Sequence, residues 1–508
     1  MTTTEPSDTS AANNQTNTEC SPCRNKGGLE YAGKLILAPM VRIGTLPMRL
    51  LALQYGADIV YTEELIDWKL LRSIRRENEV LGTVDYIDRS DGTIVLRTCQ
   101  KERSRLVLQL GTCDPGRAVA VAELVRRDVA GIDVNMGCPK RFSLLGGMGA
   151  ALLRQPSKAR EIVAALANWS ASKTESASSD DPPPPSISCK IRVLPSLEET
   201  ISLVDELAST GIAAIAVHGR TPDERPQHPN RNDTLRLLAD HCAKAHPGLV
   251  IIANGGSKEI ESRKDVEAFK RDTGCSSVML ARAAEWNCSV FRKEGLLPMQ
   301  EVIKEYLKLA CDYDNQPSNT KYCVQNVLRE LQESPLGRRF LDAQTLEQIC
   351  EVWDMGEYCR SRRAEHRSKG FGGRFEVVPE SLSGSTNGTT GGICCKRKLE
   401  NDDGENGSDN VLLMRCAFVR NTYADDASLP KTRLIKWTRE NRKKLPAYET
   451  LNEDKLFRSI VSVDGKKYGS SFWEKSKRWA EQGAALVCLC ALGLVDPDDL
   501  KKSGILAA

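Results

Sequence analysis

Short, near-continuous apolar runs alternate with longer amphipathic stretches from residue 34 to residue 281. Eight such runs stand out, at 34–38, 58–62, 106–110, 131–135, 188–191, 213–217, 249–253 and 277–281. Most are Val, Ile, Leu and Ala at both parities, the pattern of strands buried on both faces of a parallel sheet. Eight of them, with helical stretches between, predict an α/β fold of the (β/α)8 barrel type over residues 31–298. Residues 84–87 and 93–97, joined by Asp91-Gly92, read as an inserted hairpin. The low-complexity segment 170–186, with Pro182 to Pro185, reads as a surface insertion before the fifth strand. Residues 299–368 carry a helical period with no further strand and predict a small helical domain, and 369–410 read as a flexible linker. A second globular unit follows at 411–495, with 496–508 as a tail and 1–30 as a disordered leader.

Composition changes this picture in two places. The net charge of the 508 residues is only +3, but residues 431–481 hold fourteen Lys/Arg against seven Asp/Glu. A basic module on a slightly acidic body suits nucleic-acid recruitment. The eighteen cysteines are scattered and no secretory signal precedes them, which predicts reduced thiols and a cytoplasmic protein, with a nuclear pool allowed by Lys396-Arg-Lys398. Cys20 and Cys23 have zinc-like spacing without a second ligand pair, so no metal is expected. No apolar run reaches the ~20 residues of a membrane span, so no membrane partner is expected.

In such a barrel the chemistry sits where strands end. Those ends carry Ala38-Pro39-Met40, Glu63-Glu64, Gln109, Asn135 with Cys138, Lys190, His218-Gly219-Arg220, Asn254-Gly255-Gly256 and Ala281-Arg282. Single polar residues at strand ends have ordinary structural explanations, but so many at one end of consecutive strands point to a site. Asn254, Gly255, Gly256, Ala281 and Arg282 suit a phosphate held by backbone N–H groups and a guanidinium. Lys190 can stabilise a reduced flavin anion and Gln109 can bond a planar ring edge. No G-x-G-x-x-G follows the first strand, so a bound flavin mononucleotide (FMN) fits better than a tightly held dinucleotide.

The segments Asp133-Val-Asn-Met-Gly-Cys-Pro139, Gly146-Gly-Met-Gly-Ala150 and Val217-His-Gly-Arg-Thr221 resemble signatures of the tRNA-dihydrouridine synthases. Leu37-Ala-Pro-Met-Val-Arg42, Glu63-Glu-Leu-Ile-Asp67 and Arg225-Pro-Gln-His-Pro229 resemble the eukaryotic branch acting on uridine 20 of the D-loop. The resemblance implies an FMN enzyme that uses NADPH to reduce the uracil C5=C6 bond in tRNA. It implies that Ala38, Pro39, Met40, Gln109, Lys190 and His218 surround the flavin ring. It gives Asn254, Gly255, Gly256, Ala281 and Arg282 the phosphate end, and Asn135 and Arg220 the substrate. Cys138 would donate the proton to C5; a nucleophilic role would need its pKa lowered, as Lys140 could do. An RNA-binding regulator with an inactive barrel, or an FMN dehydrogenase of a free pyrimidine, are the competing readings.

The α-β-β-β-α order after Pro430, with Lys431, Lys475, Lys477 and Arg478, resembles a double-stranded RNA-binding domain. Two departures stand out. Leu451-Asn-Glu-Asp-Lys455 replaces the usual Gly-Pro-x-His loop, and Glu481 stands at the last basic position of the helix motif.

Overall fold

The computed structural model describes residues 28–175, 182–225, 227–371, 411–419, 422–423, 425–453, 456–474, 476–502 and 505–506. Cys20, Cys23, Lys475, Lys396-Arg-Lys398, most of the expected leader and nearly all of the expected linker lie outside the described residues. Strands β1 (Leu35–Leu37) and β2 (Ile59–Ile66) open the chain. Strands β3 (Ser73–Asn78), β4 (Thr83–Asp88) and β5 (Ile94–Cys99) form a separate antiparallel sheet. Then come β6 (Leu106–Gly111), β7 (Gly131–Asn135), β8 (Ser186–Arg192), β9 (Ala214–His218), β10 (Val250–Asn254) and β11 (Ser277–Leu280). Eight of these strands close a parallel barrel in the order β1-β11-β10-β9-β8-β7-β6-β2. Each expected apolar run is one of its strands.

Closure sorts the side chains by parity. Leu35, Leu37, Val60, Leu108, Val134, Ile191, Val217, Ala253 and Leu280 join the core between strands and helices. Ile36, Ala38, Ile59, Tyr61, Val107, Ala214, Ala216, Ile252 and Met279 form a second cluster inside the barrel. Pairing in β2 slips between Tyr61 and Glu64: Tyr61 lies opposite Val107, and Glu64 opposite Gln109. The extra residue on β2 is a β-bulge, a common device for re-aiming a side chain at a barrel rim. It brings Glu64 rather than Glu63 into the register of the inward-facing Gln109.

The inserted hairpin is a three-stranded sheet. Its first strand, Ser73-Ile-Arg-Arg-Glu-Asn78, is too polar to show apolar alternation, because its partner surface is made of charge. Arg75 binds Asp128 through both Nε (2.7 Å) and Nη2 (2.9 Å). Arg97 on β5 forks onto Asp85 and donates to the carbonyl of Tyr313 at 2.7 Å, tying this sheet to the helices that follow. The expected surface insertion also needs correcting, since the helix Pro156–Glu175 runs through its first six residues and β8 begins at Ser186. Trp169 and Leu166 anchor that helix on the core, which carries it past the apolar part of the sequence.

Helices Met299–Asp312, Pro317–Leu328, Pro335–Asp342, Leu346–Glu351 and Gly356–Ser368 follow. Ile303, Leu307 and Phe340 belong to the same continuous core as the outer face of the barrel. In the C-terminal unit, β12 (Val411–Met414) pairs parallel with β15 (Lys466–Ser470), which continues antiparallel through β14 (Leu456–Val463) to β13 (Ala447–Glu453). Helices Pro430–Glu440 and Lys477–Ala491 cover this sheet, with Leu434, Val461, Ala484 and Val487 in their shared core. The expected tail is part of this unit. Pro497–Lys502 is helical, Leu500, Ile505 and Leu506 are buried, and Ala417 N–H donates to the Ile505 carbonyl at 2.9 Å. Asp496-Pro-Asp-Asp499 hid this last apolar contribution behind a polar turn.

Beneath the barrel mouth, Arg49 forks onto Glu102 at 2.6 and 2.8 Å and donates to the Gly44 carbonyl at 2.6 Å. Both side chains are fully buried. Removing one partner strands the other charge, so Arg49→Ala should cost about 3–5 kcal/mol. The measurement is a thermal melt of the intact protein, with the barrel transition moving down by several degrees.

Candidate active site

Along β6 to β10 the inward-facing positions nearest the C-terminal ends are polar: Gln109, Asp133, Asn135, Lys190, Arg192, His218 and Asn254. Register makes them neighbours, with Gln109 opposite Asp133, Asn135 opposite Lys190, Arg192 opposite His218, and His218 opposite Asn254. A hydrogen-bond chain joins the first of them. Asp133 accepts from Ser188 Oγ (2.9 Å) and from Gln109 Nε2 (2.9 Å). Gln109 Oε1 accepts from Asn135 Nδ2 (3.0 Å), and Asn135 Oδ1 accepts from the N–H groups of Gly137 and Cys138, both at 3.0 Å. Each amide is thereby fixed in one orientation, and the chain ends by shaping the loop that carries the thiol. Arg192 holds the same loop from the other side, its Nε donating to the Gly137 carbonyl at 2.8 Å.

Cys138 lies at one end of a cavity of about 490 Å³ whose walls include Arg192, His218, Asn254, Gly255, Gly256, Ala281 and Arg282. Ala38, Pro39, Met40, Gln109 and Lys190 stand at neighbouring strand ends but do not line it. Gly255 has φ +130°, and a Cβ there would fall 2.0 Å from Asn230 Oδ1; a Cβ on Gly256 would crowd Phe269 at 2.9 Å. Only glycine lets the backbone pass at these two positions. Their N–H groups find no partner among the described residues. With Arg282 beside them, this donor set fits a phosphate ester, and the apolar Met279, Leu280 and Ile260 suit the rest of an FMN-sized group.

Burial dominates the electrostatics. Asp133 is pushed up to about 6 by burial, against its bonds from Gln109 and Ser188. Burial, then Arg192, lowers Lys190 to about 8. His218 is driven far below its usual value by burial and then by Lys190, Arg192, Arg220 and Arg282, so its ring is neutral. Arg220 Nη1 lies 3.2 Å from His218 Nε2 and can only donate, which assigns the ring proton to Nδ1. The Cys138 thiol is pushed up, chiefly by burial and then by the Glu64 carboxylate. Lys140 contributes a backbone N–H that lowers it, and the net direction is upward. The thiol is therefore a protonated acid at neutral pH, and the thiolate that a nucleophile requires is disfavoured.

Two expected substrate contacts already have partners within the protein. Asn135 spends its side chain on Gln109 and on the cysteine loop. Arg220 is buried, donating to the carbonyls of His228 after β9 (2.8 Å) and Gly255 after β10 (2.6 Å), and it also lines the cavity. Asp133, Ser143, Ser188 and Arg192 were missed. The signal for Arg192 was in the sequence, since it lies two residues beyond Lys190 on the same strand face. Asp133 was hidden inside an apolar run.

A profile of the dihydrouridine synthase family matches residues 36–334, more than half of the chain, and covers the barrel with its strand-end cavity. The chain belongs to that family. A double-stranded RNA-binding motif matches residues 430–492. The tRNA-dihydrouridine(20) synthase [NAD(P)+] of Schizosaccharomyces pombe is 38% identical over 338 residues, 66% of this chain and 67% of its own. That of Saccharomyces cerevisiae is 36% identical over 314 residues, covering 59% and 78%. A crystal structure of a tRNA-dihydrouridine(20) synthase dsRBD domain is 43% identical, covering 17% of this chain and 94% of its own, with a TM-score of 0.17. As a dihydrouridine synthase the chain is an oxidoreductase. No helix among the described residues is long and apolar enough to cross a membrane.

On the RNA-binding-type unit of this synthase, Lys477 and Arg478 are exposed in the first turn of the closing helix. Lys431 is not free in the same way. Its ammonium pairs with Glu481 and sits 4.6 Å over the Tyr448 ring, so the acidic departure in the helix motif neutralises the expected contact. The β13–β14 connection is only two residues long, because Leu451, Asn452 and Glu453 belong to the strand.

The raised thiol gives a direct expectation. Alkylation of Cys138 by iodoacetamide, followed by peptide mass spectrometry, should accelerate with rising pH and reach half its maximum above the ~8.5 of a free cysteine. A midpoint below 8 would show a thiolate instead.

Proposed function

We propose that this chain is a tRNA-dihydrouridine(20) synthase that reduces the C5=C6 bond of a D-loop uridine with bound FMN and NADPH as electron donor. The observation that carries the reading is one cavity lined both by Cys138 and by the Gly255–Gly256 backbone with Arg282, a donor set suited to a phosphate. Family membership, the names of the yeast relatives and the RNA-binding motif support it. When bound, FMN supplies the hydride that reaches uracil C6. Arg282, Ala281, Asn254 and the backbone of Gly255 and Gly256 would hold its phosphate end. Lys190, Gln109 and neutral His218 would face the ring edge, with Ala38, Pro39 and Met40 at the neighbouring strand ends.

The protein's own part is acid catalysis and positioning. Reducing an α,β-unsaturated carbonyl requires a proton at the α carbon, and Cys138 delivers it to C5. Asn135 fixes the loop that aims the thiol, so the substrate uracil meets a preset acid. The target base must leave its stack to reach a site this deep, which is cheapest in an irregular loop. Lys477, Arg478 and Lys475 would bind phosphates of the tRNA body, with sequence left unread by that module.

The deciding experiment incubates purified protein with unmodified tRNA and NADPH and maps dihydrouridine position by position. Product at one D-loop uridine is expected; none at any position would overturn the reading. Cys138→Ala should keep its flavin and its reduction by NADPH while losing product formation by at least ~100-fold. Lys477→Ala with Arg478→Ala should weaken tRNA binding and flatten its salt dependence by about one unit of log–log slope per lost contact. Fluorescence anisotropy across a salt series checks both.

A further inference from the structure

A thiol that gives up its proton in each turnover needs a source that restores it, and the half-buried carboxyl of Glu64 lies beside Cys138. The bulge in β2 brings Glu64 into the inward register beside Gln109 on β6, and β6 in turn pairs with β7, the strand that leads into the cysteine loop. Gly111 faces it so closely that a Cβ there would sit 3.0 Å from Glu64 Oε1. Ser143 Oγ lies 3.5 Å from the same oxygen, and a Cβ on Gly149 would meet both Ser143 Oγ (2.4 Å) and Cys138 Cβ (3.0 Å). Two glycines thus close the space around Glu64, Ser143 and Cys138. The other carboxyl oxygen, Glu64 Oε2, is buried with no partner among the described residues. A carboxylate oxygen buried without a partner is costly, and the neutral acid relieves that cost.

We infer that Glu64 is the proton reservoir of Cys138, returning a proton to the thiolate after each transfer to substrate. The inference rests on the synthase reading above. In the first step the Cys138 S–H bond breaks and a C–H bond forms at C5 as the hydride arrives at C6. In the second, the Glu64 O–H bond breaks and the S–H bond re-forms, leaving a carboxylate that regains its proton from solvent past Ser143. Glu64 acts through Cys138 and does not touch the uracil, so it is a positioning residue. The charges facing the pair are Lys140 on its own loop and Lys190 and Arg192 from β8. Burial raises the pKa of Glu64 against Lys140, Ser143 and Cys138 itself, and burial with Glu64 raises that of Cys138. Glu64 must be protonated to serve, so steady-state turnover should fall as pH rises through its raised pKa. A single turnover, which needs only the proton already on Cys138, should hold until pH reaches the raised pKa of the thiol.

The test uses the flavin-loaded full chain and unmodified tRNA. Wild-type and Glu64→Gln enzymes are compared in a single turnover, after NADPH reduction and removal of excess NADPH, and at steady state, each from pH 5 to 9. Glu64→Gln is expected to keep its flavin, its reduction by NADPH and its first turnover, to lose at least tenfold at steady state, and to lose the alkaline limb. Glu64→Asp, which keeps a carboxyl, should recover part of the rate. Wild-type rate and pH profile in Glu64→Gln would overturn the inference. So would loss of the first turnover in a variant that still binds and reduces its flavin. Where Glu64→Gln does not retain flavin, the wild-type protein decides, because superimposable single-turnover and steady-state pH profiles exclude a reservoir. Absence of dihydrouridine from the wild-type enzyme in both regimes would instead remove the synthase reading itself.

Discussion

Closure of eight parallel strands is the constraint from which the rest of this molecule follows. In a closed parallel barrel every second side chain has nowhere to go but the interior. That rule places Ile36, Tyr61, Val107, Ala214 and Ile252 in a sealed plug. One step further along the same strands it delivers Gln109, Asn135, Lys190, His218 and Asn254 to the mouth. The plug and the site are successive layers of one packing scheme. Changes to either are felt by the other, which is why a buried acid such as Asp133 can sit between them and serve both.

Asp133 shows how that coupling works. Its carboxylate lies in full burial, where an unpaired charge would be untenable, and Gln109 and Ser188 supply the bonds that keep it there. The orientation it imposes on Gln109 passes to Asn135 and then to two backbone N–H groups at Cys138. The position of the thiol is therefore decided in part by a fully buried carboxyl below it in the barrel. His218 obeys the same electrostatic regime with opposite sign. Several cations and deep burial hold it neutral, leaving a hydrogen-bonding ring without an added charge beside the cavity.

Legibility in the sequence followed the physics of each element. All eight barrel strands were readable, because strands buried on both faces must be apolar at both parities and these runs are too short for buried helices. Strand β3 was not readable, since Arg75 and Asp128 hold it by charge and leave no apolar alternation to find. Cys138, His218, Asn254 and Arg282 were visible as chemistry-bearing residues at strand ends, and they do share one cavity. What the sequence could not show was direction. Asn135 and Arg220 carry polar groups that could serve a ligand or the protein, and only the geometry reveals that each already holds partners within the fold, Arg220 while lining the cavity. The short helix after Asp496 was lost for a similar reason, since Leu500, Ile505 and Leu506 are too few and too widely spaced to make a detectable pattern.

The bulge in β2 is the feature where strand geometry and chemistry are hardest to separate. A regular ladder would have given Glu63 the inward position and turned Glu64 away, at no evident loss to the barrel. The irregularity interrupts the β2–β6 pairing, and it produces a carboxyl packed against Gly111 with one oxygen unsatisfied. Stability alone gives no reason to break a ladder in order to bury an acid, since both changes are unfavourable. The Glu63 that was displaced finds ordinary work, accepting from the Arg42 N–H at 2.8 Å. The outcome is a carboxyl whose pKa burial raises, placed beside a thiol, which is the arrangement the proposed reservoir requires.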